Sequence, residues 1–227
     1  MQTFRRPASG AIAGLVFGGI LITVMVLLRT ALPPSGSPAT TWVDVAEQRD
    51  AVELALNLIP FAGIAFLWFM AVIRARLGSA EDRFFETVFL GSGLIFVALL
   101  FTSAAAVKSA LVLTDTGVGL PRDLAAFAWT FSSIALDSFA LRMAAVFTIS
   151  VASMGRRTGT VPRWLAITGY LVGILLLVSP LLPNLTQFLF PGWVVLISIY
   201  ILVGRGRTPE SPGPATGSAA PPQGQLP

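Results

Sequence analysis

Cysteine and histidine are both missing from this 227-residue chain. Without cysteine no disulfide can form, so a loop facing an oxidising compartment gains no cross-link. Without either residue, thiolate zinc, bis-histidine haem, iron–sulfur ligation and His- or Cys-based nucleophilic catalysis lack their groups. The ligands left are carboxylates, carbonyls and hydroxyls, which suit hard cations. Neither a metal nor a cofactor is expected.

Charge is the next scarcity. Asp, Glu, Lys and Arg make up 11% of the residues, against about 25% in a soluble domain. The apolar fraction is 55% and the mean hydropathy +0.80. Together these predict an all-α, polytopic integral membrane protein, with the lipid bilayer as its main partner and no space for a separate soluble domain. The pI near 10.6 invites a nucleic-acid reading. The basic residues, however, sit in short segments beside apolar runs, a pattern set by membrane topology, so no nucleic-acid partner is expected. Fourteen arginines against one lysine, with abundant Ala, Gly and Pro, fit the codon usage of a high-GC bacterial genome. The expected location is a bacterial cytoplasmic membrane.

Six apolar segments are long enough to read as spans of about 20 residues. They run from Ala8 to Leu32, Val52 to Ile73, Phe84 to Val107, Leu124 to Met154, Trp164 to Leu182 and Thr186 to Val203. The third has an apolar extension to Leu113. The last two are short and joined at Pro183-Asn184, so five spans can also be argued; six is the expectation adopted. Residues 1–203 then form one membrane domain, and the Pro/Gly-rich stretch 204–227 is expected to be a disordered tail. With the N-terminus inside, ten basic residues fall on the inner side (Arg5, Arg6, Arg74, Arg76, Arg83, Arg156, Arg157, Arg163, Arg205, Arg207). Four fall outside: Arg29, Arg49, Lys108 and Arg122. The positive-inside rule thus predicts that both termini are cytoplasmic. Indole rings favour the headgroup level, which suits Trp164 at the inner boundary and Trp129 and Trp193 at the outer one. A cleaved signal peptide is the competing reading of the first segment, but its apolar run is long and no clean A-x-A site follows. The acidic residues Asp44, Glu47, Asp50 and Glu53 are expected to start the second helix outside the membrane.

Gly10, Gly14 and Gly18, and again Gly169 and Gly173, recur at four-residue spacing. Small residues one turn apart let a second backbone approach closely. Packing within the monomer is the expected use, with partner membrane helices the alternative. Pro60 and Pro180 are expected to kink the second and fifth spans.

Asp137 and Arg142 stand in the middle of the fourth apolar run. A charge at bilayer centre costs roughly 3 kcal/mol on insertion scales, so such residues face protein or trapped water. From Trp129 to Arg156 is 27 residues, roughly 40 Å of helix. Arg142 therefore falls near the midplane and Asp137 about 8 Å nearer the outside. The two lie about 140° apart around the axis, so they pair directly only through the length of arginine. A stripe of Thr130, Ser133, Asp137, Ala140, Ala144 and Thr148 follows three- and four-residue steps, and that face is expected to point into the bundle. Phenylalanines and leucines are expected to face lipid. By depth, Glu53, Asn57 and Lys108 are the remaining candidates for an outward polar cluster with Asp137 and Arg142, and Glu86 is excluded. Two readings stay open: a structural salt bridge, or a cavity for a small polar molecule or a proton-coupling acid.

No Walker A, nucleophile elbow, His-Glu metalloprotease or Gly-x-Gly-Asp motif occurs, and Gly91-Ser92-Gly93 sits inside an apolar run as a packing point. One intramembrane aspartate without a second carboxylate is poor material for acid–base hydrolysis, so an enzyme is not expected. The segment Gly159-Thr160-Val161-Pro162-Arg163-Trp164-Leu165 resembles the penultimate inner loop of uncharacterised six-span bacterial membrane families, which often read G-x-x-P-R-x-L. That resemblance implies the fold class and nothing about activity. The expected role is small-solute transport or sensing through the polar cluster; the alternative is a non-catalytic accessory or scaffold subunit.

Overall fold

Lipid offers no partner for backbone N–H and C=O groups, so apolar runs of this length satisfy them internally as helices. A computed structural model of the protein describes residues 7–31, 46–77, 83–115, 121–178 and 186–203, and all the regular structure among them is helical. Six helices follow in order among the described residues: α1 (Pro7–Ala31), α2 (Ala46–Leu77), α3 (Arg83–Asp115), α4, α5 (Arg163–Leu177) and α6 (Thr186–Val203). Helix α4 comprises Arg122–Ser133, a π-helical stretch Ile134–Ala140, and Leu141–Arg157. Five of the six are long and apolar enough to cross a membrane. The exception is α5, whose 15 residues extend about 22 Å, short of the roughly 30 Å hydrocarbon core.

The boundaries agree only in part with those expected. Helix α2 starts at Ala46, ahead of the apolar run at Val52, so Glu47, Asp50 and Glu53 lie in its opening turns as expected. Pro60 sits inside α2 without ending it. Helix α5 stops at Leu177 rather than Leu182. The Pro183-Asn184 turn, Pro180, Asp44 and the 204–227 segment lie outside the described residues. Between α4 and α5, Gly159 takes a left-handed φ of 69°, which closes a helix without Cβ strain. Pro162 is extended immediately before α5, with φ −65° and ψ 154°. The 159–165 motif is thus a stop followed by a start.

Helices consecutive in the chain run in opposite directions, as the Arg74–Glu86 and Glu53–Lys108 pairs show for α2 and α3. A methyl group at Gly10 of α1 would fall inside the Val72 side chain of α2, and one at Gly14 would lie 2.7 Å from Phe69 Cδ2. Gly18 meets Val195 and the Pro191 carbonyl of α6. The second pair is likewise occupied: Gly169 lies against Ala152 of α4 and Trp193 of α6, and Gly173 against Ile149 and the Ala145 carbonyl of α4. All five glycines therefore bring helices of the same chain together. One end of the bundle carries Arg74, Arg76, Arg156, Arg157 and Arg163, and the other Arg29, Arg49 and Lys108; these are the Arg74 end and the Arg29 end.

The centre is aromatic. Phe66 of α2 meets Phe17 of α1 at a ring-centroid distance of 4.8 Å, Phe147 of α4 at 5.0 Å, Phe96 of α3 at 5.2 Å and Phe190 of α6 at 5.8 Å. Five helices thus contribute one ring each to a single layer, and Phe66, Phe17 and Phe147 are fully buried. Tilted and edge-on aromatic pairs of this kind add about 0.5–1.5 kcal/mol each beyond their area. The expectation that phenylalanines face lipid holds for Phe127, Phe131 and Phe139 but not for Phe147. Trp193 also departs from the interfacial position expected for it: it is 3% exposed and packs against Gly169. The small Gly169 surface accepts an indole that a larger residue would push outward.

Candidate functional site

The site starts from an irregularity in α4. At the end of the π-helical stretch, the Leu141 N–H bonds to the Leu136 carbonyl, five residues back. One extra residue per turn rotates everything after it by about 100° relative to an uninterrupted α-helix. Before the stretch the buried positions are Ala125, Ala128 and Ser132, and Ala135 at its start continues them. Continued in α-helical steps, that face would next bury Phe139 and Arg142. Ala140, Ala144, Phe147 and Val151 are buried instead, while Phe139 is 56% exposed and Arg142 only half-buried. The π turn therefore keeps Arg142 out of the bundle core.

The same shift splits the expected polar stripe. Ala140, Ala144 and Thr148 are buried as anticipated, Ser133 is half-buried, and Thr130 and Asp137 are exposed. Arg142 does not meet Asp137; its Nη1 donates to the Ser138 carbonyl one turn back. That bond engages one of the guanidinium's five N–H donors within its own helix. Asp137 turns to α6, where its Oδ1 accepts a hydrogen bond from Gln187 Nε2 at 3.0 Å.

Glu53, Asn57 and Lys108 come together elsewhere. Lys108 Nζ donates to Glu53 Oε1 at 2.8 Å and to Asn57 Oδ1 at 3.4 Å, linking α3 to α2. Both charged side chains are substantially exposed. Of the five residues expected to cluster, three form this link, while Asp137 and Arg142 each stand apart. Glu86 pairs with Arg74 at the Arg74 end, N···O 2.6 Å.

Asp137 and Gln187 border a partly open cavity of about 460 Å³ between α1, α2, α3, α4 and α6. Leu21, Val24, Leu56, Ile59 and Leu100 form much of its wall, and Phe96 and Phe190 of the aromatic layer floor it. Its polar lining is sparse and specific: Arg29, Ser103, Ser132, Ser133, Asp137 and Gln187. Ser103 and Ser132 share a 2.6 Å hydroxyl–hydroxyl bond, and Ser103 Oγ also donates to the Ser132 carbonyl at 3.0 Å. The Arg29 guanidinium lies 5.0 Å over the Phe188 ring. Among the described residues no group of three His, Cys, Asp or Glu comes together. An apolar cavity with few convergent polar groups, next to a π turn, is where a membrane protein of this size would hold a small molecule.

No family model, curated protein or solved structure matches this chain. The likeness of the 159–165 loop to six-span bacterial families therefore remains one of layout, and function is argued from the site. Sequence reasoning passed over Gln187, Arg29, Ser103 and Ser132. Gln187 carried a usable signal as the single amide in the last apolar run. The serines carried none, because spacing along α4 does not say that Ser132 faces Ser103 of α3.

Proposed function

We propose that this chain is a six-span protein of a bacterial cytoplasmic membrane, with both termini inside, that binds a small solute in an outward-facing cavity for passage or sensing. The observation that carries the reading is the 460 Å³ cavity at the Arg29 end, with a carboxylate and a guanidinium on a largely apolar wall. The orientation follows from the excess of basic residues at the Arg74 end. Helix α5 serves as a short sixth span, which local thinning of the bilayer accommodates. Helix α1 is retained as a span because Phe17 belongs to the central aromatic layer. That layer closes the cavity toward the inner side, so the conformation described is one that receives solute from outside. The role is binding rather than catalysis.

The accessory-subunit alternative has less behind it. Each Gly-spaced face that would hold a partner helix already holds one from its own chain.

Because the chain has no native cysteine, introduced thiols report cleanly. A membrane-impermeant maleimide applied to intact cells should label Ser37→Cys and spare Ser211→Cys. Labelling of Ser211→Cys from outside would overturn the orientation. Ser133→Cys, on the cavity wall, should react with a small water-soluble maleimide; a thiol there that never reacts would remove the cavity from consideration.

A further inference from the structure

Arg29 and Asp137 line one cavity without neutralising one another. No ion pair joins them among the described residues. Arg29 rests over the Phe188 ring, and Asp137 takes the Gln187 amide on Oδ1 alone, leaving Oδ2 without a donor among the described residues. Both residues are exposed, and each keeps hydrogen-bonding capacity that its neutral neighbour does not use. These two are held apart on different helices, α1 and α4, each steadied by a neutral neighbour. A single ligand carrying both signs would satisfy both. The guanidinium fork suits a phosphate or carboxylate, and a carboxylate oxygen with spare lone pairs suits an ammonium.

The remaining lining fixes the rest of the ligand. Leu21, Val24, Leu56, Ile59 and Leu100 offer nothing to a hydrated molecule, and the floor is Phe96 and Phe190. The volume of about 460 Å³ lies within the range of roughly 300–1,000 Å³ usual for small-molecule sites. We propose that the cavity binds a zwitterionic amphiphile: an amine and an anionic group at the head, between Asp137 and Arg29, with one apolar chain running toward Phe96 and Phe190. This rests on the reading of the cavity as a binding site and names the chemistry it selects.

The test uses the full chain carrying Ser133→Cys in phosphatidylglycerol nanodiscs, following its reaction with a water-soluble maleimide. Four probes are added separately: lysophosphatidylethanolamine, lysophosphatidylglycerol, dodecyltrimethylammonium and phosphoethanolamine. The zwitterionic lysolipid should slow labelling at least about tenfold, a difference of roughly 1.4 kcal/mol in occupancy. The anionic and cationic amphiphiles at equal concentration should slow it less than about twofold, and the chainless headgroup not at all. Adding Asp137→Asn should erase the preference for the zwitterion over the anionic probe, and Arg29→Gln the preference over the cationic one. Equal protection by all three amphiphiles, in the Ser133→Cys protein alone, would overturn charge recognition while leaving the cavity intact. Protection by phosphoethanolamine would make the ligand a free zwitterion and overturn the amphiphile. A thiol unreactive before any probe is added would instead sink the cavity reading, and this inference with it.

Discussion

The two halves of α4 differ in what surrounds them. From Leu141 to Arg157 the helix is closely packed: Ala144, Ala145, Phe147, Thr148, Val151 and Ala152 are buried, and α5 presses Gly169 and Gly173 against it. From Arg122 to Ser133 only Ala125, Ala128 and Ser132 are buried among the described side chains, and Ser132 and Ser133 face the cavity. The π turn at Ile134–Ala140 marks the change. Membrane helices associate without a hydrophobic drive between them, so close packing of small residues must hold the bundle. Here that packing is concentrated at the Arg74 end, leaving the Arg29 end able to keep a cavity and place polar groups on it.

Deleting Leu136 attacks the division most severely. Removing the extra residue should restore an α-helix in which Ala140, Ala144 and Phe147 continue the buried face of Ala128, Ser132 and Ala135, so the variant should stay compact and monodisperse in detergent. What the deletion moves is Asp137, one position back toward Ser133 and away from Gln187, so solute binding in the cavity should be lost. Retained binding would mean that the π turn does not set the site.

Phe66→Ala comes next. Lipid is as apolar as the interior, so the transfer contribution largely drops out and the loss is that of packing alone. A loss of about 2–3 kcal/mol is expected, read as a lower unfolding midpoint in a mixed-micelle titration. A shift under about 1 kcal/mol would show that the aromatic layer is not a centre of stability.

Asp137→Asn should cost no more than about 1 kcal/mol, since an amide can still accept from Gln187, while solute binding in the cavity is lost. A strongly destabilised Asp137→Asn protein would make the Asp137–Gln187 contact structural. The smallest effect belongs to Glu53→Gln with Lys108→Gln. That ion pair is exposed and worth about 0–1 kcal/mol, so both stability and cavity binding should be nearly unchanged.

The sequence made the helices legible because apolar length is a strong signal, and the glycine spacings marked where helices approach closely. Position along the α4 axis could also be counted, since it depends only on rise per residue. What could not be read was rotation. A single π turn moved Arg142 off the face that Ser132 shares, and no residue between Ile134 and Ala140 announces it. Depth alone likewise grouped Asp137 with Glu53, Asn57 and Lys108, because it says nothing of which helices adjoin. Gln187, at the mouth of α6, became Asp137's partner through the order of helices around the cavity.

The division of α4 can be tested in one pair of proteins, Ser133→Cys and Thr148→Cys. The two sites are 15 residues apart on the same helix, about 22 Å, with Thr148 fully buried and its hydroxyl donating to the Ala144 carbonyl. With a small water-soluble maleimide, the Ser133→Cys protein should label at least about tenfold faster than the Thr148→Cys protein, as burial of the second thiol requires. Equal rates at the two positions would contradict the account.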